Sequence, residues 1–169
     1  MLRPTERRMD GKLKDQYLQD QLPIHRFISY RVLRLHSKLN AQAARILKET
    51  CGLSLAQWRV VAVVATEDGI TPSKISRFSQ MDKGQLSRCV KALVDSGLMV
   101  TRDDPADQRI QHLSLTAKGH EIHERTLPRM LNRQDRLLLG LSDVEREVIF
   151  SAFDKLEVIA DAADDPADE

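Results

Sequence analysis

Long hydrogen-bond donors are concentrated between residues 71 and 109 of this 169-residue chain. From Thr71 to Arg102 there are six basic residues and only two acids, Asp82 and Asp95. Such a local excess of positive charge attracts phosphate, and Arg and Gln can also form paired hydrogen bonds with base edges. These residue types therefore predict contact with a nucleic-acid duplex. The candidate contact residues are Lys74, Lys83, Gln85, Ser87, Arg88, Lys91, Asp107 and Arg109.

Two short helices are predicted to position most of these side chains. Thr71 followed by Pro72 is typical of a helix start, with Thr71 as the N-cap. Asp82 then begins a second helix with Gln85 as its capping-box partner. Gly97 follows the end of that helix, where a left-handed cap is expected.

The second helix has two contrasting faces. Apolar residues recur at spacings of three, four and seven, which predicts a face docked on the core by Leu86, Cys89, Val90 and Leu93. The opposite face carries Gly84, Arg88, Lys91 and Asp95, and it is flanked by Gln85 and Ser87. A second helix that presents donors in this way suits base-edge contact in the major groove of DNA.

A charged hairpin is predicted after this helix. Imperfect alternation of apolar and polar residues favours a half-buried antiparallel pair with apolar positions at Leu98, Val100, Ile110, Leu113 and Leu115. Turn formers fill the connection at residues 103–107. Arg109 at its edge can reach a minor groove, and we expect Asp107 to orient Arg109 or Arg102 by an ion pair. The alternative is an ordinary surface hairpin with solvated charges.

Long amphipathic helices are predicted on both sides of this unit. One begins at Pro23 and ends at Gly52, a second runs from Thr116 to Gly140, and a third begins at Ser142. The simplest way to bury their apolar faces is against a second copy, which gives a two-fold homodimer that reads a pseudo-palindrome. The alternative is a monomer whose terminal helices pack only on one another.

These elements predict a mainly α fold with a small antiparallel β-hairpin, a winged helix-turn-helix with long terminal dimerisation helices. The predicted organisation is a charged N-terminal extension at 1–22, a helical dimerisation region at 23–52 and 117–160, a winged-helix DNA-binding domain at 53–116, and an acidic disordered tail at 161–169. The tail hides the basic character of the rest. Seven acids and one lysine follow from residue 154 onward, so a net charge of +1 leaves about +7 on the remainder.

Other classes of protein find little support. The sequence has no apolar run long enough for a membrane span and no secretory signal, so we expect a cytoplasmic protein. Cys51 and Cys89 form no metal-binding pattern, and no motif of a catalytic site is present, so no catalytic residue and no cofactor is predicted. His120 and His123, joined by His112, could contact one metal ion, but solvated histidines are the expected outcome.

Several short motifs follow one another in a definite order. They are the runs Leu53–Val61, Asp82–Arg88, Leu93–Arg102, Asp107–Arg109, Leu113–Gly119 and Leu141–Glu145. Together they resemble the MarR family of winged-helix transcriptional regulators, over residues from about Ile24 to Leu156. The most specific part is Asp-x-Arg followed by Leu-x-Leu-Thr-x-x-Gly.

The resemblance implies roles for particular residues. The major-groove contacts would be those of Lys83, Gln85, Ser87 and Arg88. The wing arginine of the family corresponds to Arg109, supported by Asp107, and would enter the minor groove. The family forms dimers through its terminal helices, and many members are repressors released by small aromatic or phenolic acids. Candidates for binding such an effector are Tyr30, Arg31, His36, Trp58 and Arg59.

Two alternatives remain open at this point. Trp58 could pack in the core, with Arg31 and Arg59 solvated or bridging the dimer. The sequence predicts a homodimeric, sequence-specific regulator, a ligand-responsive repressor whose partners are double-stranded DNA and a small effector. A second interpretation is a winged-helix scaffold for protein association that does not read DNA.

Overall fold

The computed structural model of the chain describes residues 24–79, 81–107 and 109–162. Within these ranges it contains six α-helices and one two-stranded antiparallel sheet. The order is α1 (Ile28–Thr50), α2 (Leu55–Val64), α3 (Pro72–Ser79), α4 (Lys83–Asp95), β1 (Met99–Asp103), β2 (Gln111–Leu115), α5 (Ala117–Leu139) and α6 (Asp143–Ala162). We call residues 99–115 the wing. The predicted mainly α, winged helix-turn-helix class is confirmed.

The first long helix begins later than predicted. A short 3-10 helix covers Ile24–Arg26, and α1 starts only at Ile28. The N–H of Phe27 donates to the carbonyl of Ile24 at 3.1 Å, a bond of the tighter 3-10 type that interrupts the α-helical pattern. The predicted start at Pro23 and the extension at 1–22 lie outside the described residues.

The described residues fall into two compact units, which divide between residues 45 and 46. The described part of the first unit is the 3-10 helix and most of α1, and many of its large apolar side chains are exposed. The second unit contains a hydrophobic core to which every element from α2 to β2 contributes. Its fully buried side chains include Leu47, Val60, Val61, Ile75, Leu93, Met99 and Leu113.

The wing is paired in a simple register. Met99 lies opposite Leu115, and Asp103 lies opposite Gln111. An isolated bridge joins Ile70 to Leu113, where the Leu113 N–H donates to the Ile70 carbonyl at 2.9 Å. The loop before α3 therefore pairs with the base of the wing.

The predicted alternation of buried and exposed residues in the wing is confirmed at Leu98, Leu113 and Leu115 but is wrong elsewhere. Only Met99 of β1 is buried, while β2 buries three consecutive residues, Leu113–Leu115. Val100 and Ile110, predicted as half-buried, are exposed by 38% and 41%. The helices and the Ile70 backbone cover the base of the hairpin, and nothing in the described residues covers its outer half.

The last helices follow their predicted starts. Thr116 caps α5, and Ser142 with Glu145 forms the capping box of α6. Helix α5 continues through Pro128, and α6 extends to Ala162, two residues into the segment predicted as a disordered tail. Among the described helices, none combines the length and apolar character of a membrane span.

Candidate nucleic-acid interface

Helix α4 is fixed at both ends by local hydrogen bonds. The Asp82 carboxylate accepts from the Gln85 N–H at 2.7 Å, which satisfies a free donor of the first turn. Gly97 adopts a φ of 71°, and its N–H donates to the Val94 carbonyl at 2.9 Å. Both predicted ends are confirmed. The reciprocal half of the capping box, predicted through the Gln85 side chain, is not formed among the described residues.

The two faces of α4 differ as predicted. Leu86, Cys89 and Leu93 are buried against the core. Burial raises the pKa of the Cys89 thiol, and the nearby Arg88 opposes this shift only partly. The exposed side carries Lys83, Gly84, Gln85, Ser87, Arg88 and Lys91. The packing of the apolar face therefore turns the predicted donors outward.

Two of the lysines predicted to contact DNA already form an ion pair with an acidic side chain. Lys74 Nζ lies 2.6 Å from a carboxylate oxygen of Glu67, and Lys91 Nζ lies 3.0 Å from Asp95 Oδ2. Both pairs are exposed, so each is worth at most about 1 kcal/mol. Binding a phosphate would require these lysines to share or exchange their partner.

Other cations on this surface make no ion pair with any described residue. They are Arg77, Lys83, Arg88, Arg102 and Arg109, all of which are exposed. A guanidinium or ammonium group without an internal acid keeps its full attraction for phosphate. The available positive charge therefore lies on α3, on the first half of α4 and on the wing.

A groove of about 790 Å³ lies between α3, α4 and the wing. Its apolar lining comes mainly from α4, through Leu86, Val90 and Val94, and includes Pro72 of α3. The polar lining includes Arg77, Lys83, Ser87, Lys91, Thr101 and Gln111. Sequence reasoning counted Arg77 in the local charge but did not place it among the contact residues. Its position in the last turn of α3, close before α4, is the signal that could have found it.

The wing tip is ordered by carboxylates that accept from backbone N–H groups. Asp104 Oδ1 accepts from Ala106 at 2.8 Å and from Asp107 at 3.1 Å. Asp107 Oδ1 accepts in turn from the Arg109 N–H at 3.0 Å. The predicted ion pair of Asp107 with Arg109 or Arg102 is therefore wrong. Short aspartates in turns bond their own backbone readily, and this bond leaves the Arg109 guanidinium free.

Asp104 also makes a contact that sequence reasoning missed. Its Oδ2 lies 2.9 Å from His112 Nε2, and His112 Nδ1 lies 2.7 Å from the Gly69 carbonyl. The hydrogen bond with Asp104, followed by the one with Gly69, raises the pKa of His112. The hydrogen bond with His112, followed by those from Ala106 and Asp107, lowers the pKa of Asp104. The tip is thereby connected to the loop before α3.

The base of the wing is attached to the end of α4. Thr116 Oγ1 donates to the Gly97 carbonyl at 2.8 Å and accepts from the Gly119 N–H at 3.1 Å. The Thr116 N–H donates to the Leu98 carbonyl at 3.1 Å. Gly119 packs so closely on Leu98 that a Cβ at this position would overlap the Leu98 carbonyl oxygen. The motif Leu-Thr-x-x-Gly therefore fixes where the wing leaves the helix.

The segment that carries this geometry matches a known family. The model of the MarR family matches residues 52–110, from three residues before α2 through the wing tip. Over this segment, the chain is similar to the MarR family. The family and the relatives that it resembles are transcriptional regulators, not enzymes.

The chain is also similar to individual relatives and solved structures. It is 26% identical to the HTH-type transcriptional regulator BilQ of Clostridium symbiosum over 105 residues, which are 62% of this chain and 73% of BilQ. Its fold is similar to that of the PcaV transcriptional regulator from Streptomyces coelicolor in complex with its natural ligand, with a TM-score of 0.69, 22% identity, and coverage of 85% of this chain and 98% of PcaV. It is also similar to the S. aureus MepR–DNA complex, with a TM-score of 0.72, 18% identity, and coverage of 79% and 96%.

The residues suggested for binding an effector fall in both compact units. In the first unit, Tyr30 is half-buried, Arg31 is exposed, and the exposed His36 lies 2.9 Å from the Asn40 amide. In the second unit, Arg59 is exposed, but Trp58 is only 5% exposed and belongs to the core. The indole of Trp58 packs in the core, as the alternative interpretation held.

The histidines of α5 have different environments. His123 is half-buried and stacks on Trp58 with ring centroids 5.6 Å apart, whereas His120 is exposed. Burial, followed by the nearby His120, lowers the pKa of His123. Among the residues that the structure describes, no three His, Cys, Asp or Glu side chains come together as a metal site requires.

Proposed function

We propose that this protein is a MarR family regulator that binds double-stranded DNA with sequence preference, placing α4 in the major groove and Arg109 in the minor groove. The proposal rests on a set of cations that have no acidic partner among the described residues. They lie on one helix and one hairpin, and hydrogen bonds fix this hairpin to the helix. Lys83 and Arg88 project from α4, and Thr116 bonds the base of the wing to the end of that helix. A helix and a loop held in this relationship suit contact with adjacent grooves. The likeness to MepR, whose structure is a complex with DNA, supports this assignment.

The protein is proposed to act as a homodimer. No side chain of α6 is buried, yet this helix carries large apolar residues exposed by 55% to 69%, namely Val144, Val148, Phe150, Val158 and Ile159. The first unit exposes Ile24, Phe27, Ile28, Val32, Leu33 and Leu35. Extended apolar faces of this kind are rare on monomers, and a second copy would cover them. Two α4 helices about 34 Å apart would then read a pseudo-palindromic operator.

The regulator is proposed to be a repressor that leaves its operator when a small aromatic or phenolic acid binds. The likeness to PcaV, whose structure holds its natural ligand, supports a ligand-responsive mechanism. Exposed Arg31 and Arg59 offer guanidinium groups for a carboxylate. Release requires that the ligand prefer a dimer geometry that mismatches the operator. The cytoplasm is the proposed location.

The test begins with selection of DNA fragments that the purified protein retains, followed by affinity measurements on the selected duplex at several salt concentrations. Binding through phosphates gives a log–log slope of about −0.9 for each phosphate neutralised. Arg109→Ala should weaken binding and make the slope shallower by about one unit. Arg125→Ala, which removes an exposed cation of α5, is the matched control and should change neither value.

A second pair of variants tests the groove assignment. Arg88→Ala should reduce the preference for the selected sequence over random duplex, because base contacts specify the sequence. Lys74→Ala should weaken both duplexes about equally, because phosphate contacts do not distinguish bases. Equal effects of the two variants contradict the assignment. If duplex binding does not depend on salt concentration and is not weakened by Arg109→Ala, the result favours the alternative function, a scaffold for protein association.

A further inference from the structure

His112 lies between two acceptors that belong to different parts of the second unit. Its Nδ1 is 2.7 Å from the Gly69 carbonyl, which can only accept a hydrogen bond. Its Nε2 is 2.9 Å from Asp104 Oδ2, which as a carboxylate oxygen also only accepts. Both bonds form together only when both ring nitrogens carry hydrogen. The geometry therefore fits an imidazolium, since a neutral ring has a single N–H and must lose one of the two bonds.

Asp104 passes this restraint to the wing tip. While Oδ2 faces His112, Oδ1 accepts from the backbone N–H groups of Ala106 and Asp107. Asp107 in turn holds the Arg109 N–H. One side of His112 is thus tied to the loop before α3, and the other side is connected through two carboxylates to the backbone of Arg109.

We propose that doubly protonated His112 is a positioning residue that holds the wing tip, and with it Arg109, in the orientation used for DNA. This inference rests on the proposed function, because it concerns the same contact in the minor groove. Deprotonation would release either Gly69 or Asp104. A tip held at its base alone samples more orientations, so the Arg109 contact would cost more conformational entropy.

The charged neighbours of His112 come from three segments. Asp104 follows β1, Arg102 on β1 lies opposite His112 in the register, and Asp68 precedes Gly69 in the loop before α3. Asp104 alone of these lies within ion-pair distance. The pKa of His112 is raised from its ordinary 6.5, so the two-bonded form persists above that pH and is lost as the pH rises through the raised value. The side chains of His112 and Asp104 are 33% and 27% exposed, so solvent screens their attraction.

The main experiment measures how much Arg109 contributes to DNA affinity at each pH. Dissociation constants of wild type, Arg109→Ala, His112→Gln and the double variant are measured on the selected duplex from pH 6.0 to 8.5, at constant ionic strength. The dissociation constant of Arg109→Ala divided by that of the wild type should fall by about two- to fivefold as the pH rises. In the His112→Gln background the same ratio should be smaller and independent of pH. His120→Gln, an exposed histidine of α5, is the control and should keep the wild-type profile.

Two outcomes would overturn the proposal. One is a wild-type ratio that stays constant across the pH range, and the other is a His112→Gln protein that keeps the wild-type pH dependence. Asp104→Asn provides a second route, because it removes the charge but leaves an Oδ1 acceptor for Ala106 and Asp107. This variant should also lose the pH dependence, and its thermal melt shows whether the domain remains folded.

A readout without DNA separates this proposal from the proposed function. In ¹⁵N NMR spectra of the free protein, His112 should show two protonated nitrogens and a titration midpoint above the ordinary value of about 6.5. The amides of Ala106 and Asp107 should shift with the same midpoint. If the protein shows these shifts but binds no duplex, the DNA proposal fails. If it binds DNA through Arg109 while His112 is neutral at pH 6.5, the positioning role fails.

Discussion

Trp58 and His123 stack with ring centroids 5.6 Å apart and planes inclined by 17°. The contact joins α2, the first helix of the family-matched segment, to α5, the helix that follows the wing. Because Trp58 is in the core, the charge state of the imidazole is coupled to the packing of the domain. A neutral ring stacks there without the cost of burying a charge.

The stacked pair predicts a loss of stability on acidification. The pKa of His123 is lowered in the folded protein, chiefly by burial, so the unfolded chain takes up its proton at a higher pH. The free energy of unfolding should therefore fall as the pH drops below 6.5 towards the lowered native value. Urea unfolding from pH 7.5 to 5.5 measures this, with His123→Phe retaining a ring that cannot titrate.

The comparison between variants is needed because His112 acts in the opposite direction. Its raised pKa stabilises the fold as the pH falls, and this contribution is lost as the pH rises. His123→Phe should thus lose less stability on acidification than the wild type, because the destabilising contribution of His123 is removed. An identical pH profile in the two proteins would show that the burial of His123 has no energetic consequence.

Gly119→Ala should destabilise the protein by about 1–3 kcal/mol, since a methyl group would overlap the Leu98 carbonyl oxygen. Gly140→Ala is the matched control at the end of the same helix, where a Cβ would lie 3.5 Å from the Arg136 and Leu137 carbonyl oxygens. That variant should stay within about 0.5 kcal/mol of wild type. Equal melting temperatures for the two variants would contradict the close approach of α5 to Leu98.

Thr126→Val should preserve or raise stability, by up to about 1 kcal/mol. Thr126 is fully buried in α5, and its hydroxyl has no hydrogen-bond partner among the described residues. Valine has nearly the same shape and removes the cost of the buried polar group. Thr126→Ser, which keeps the hydroxyl and removes the methyl group, should instead lose about 1 kcal/mol. Chemical denaturation of the two variants decides between an unsatisfied hydroxyl and a stabilising one.

Asp107→Ala should weaken DNA binding by about two- to tenfold, because the Arg109 N–H loses its acceptor and the tip loses order. Asp107→Asn should bind at least as well as wild type, since its amide oxygen can still accept and a negative charge near phosphate is removed. Fluorescence anisotropy on the selected duplex measures both. If the asparagine variant were as weak as the alanine variant, the carboxylate charge itself would be required, as the ion-pair hypothesis held.

Local signals predicted the ends of the helices well. Asp82, Thr116 and Ser142 each accept from an N–H three residues further on, as expected for N-caps. A cap depends only on residues within one turn, so its sequence signature is complete. Burial in the wing was harder to predict. Val100 and Ile110 have apolar side chains, but only the arrangement of other elements decides whether anything covers them.

The sequence by itself determined the starts of α3 to α6, the outward donors of α4 and the order of motifs that resembles the MarR family. These properties depend on residues close together in the chain, through caps, helical periodicity and direct succession. Only the tertiary structure decided which cations form an ion pair with an acidic side chain and which contacts anchor the wing tip. Lys74 meets Glu67 across seven residues, and His112 meets Gly69 across 43. Such contacts form because α3 and the wing pack onto one core, which brings these side chains together. The spacing of residues along the sequence does not predict this packing.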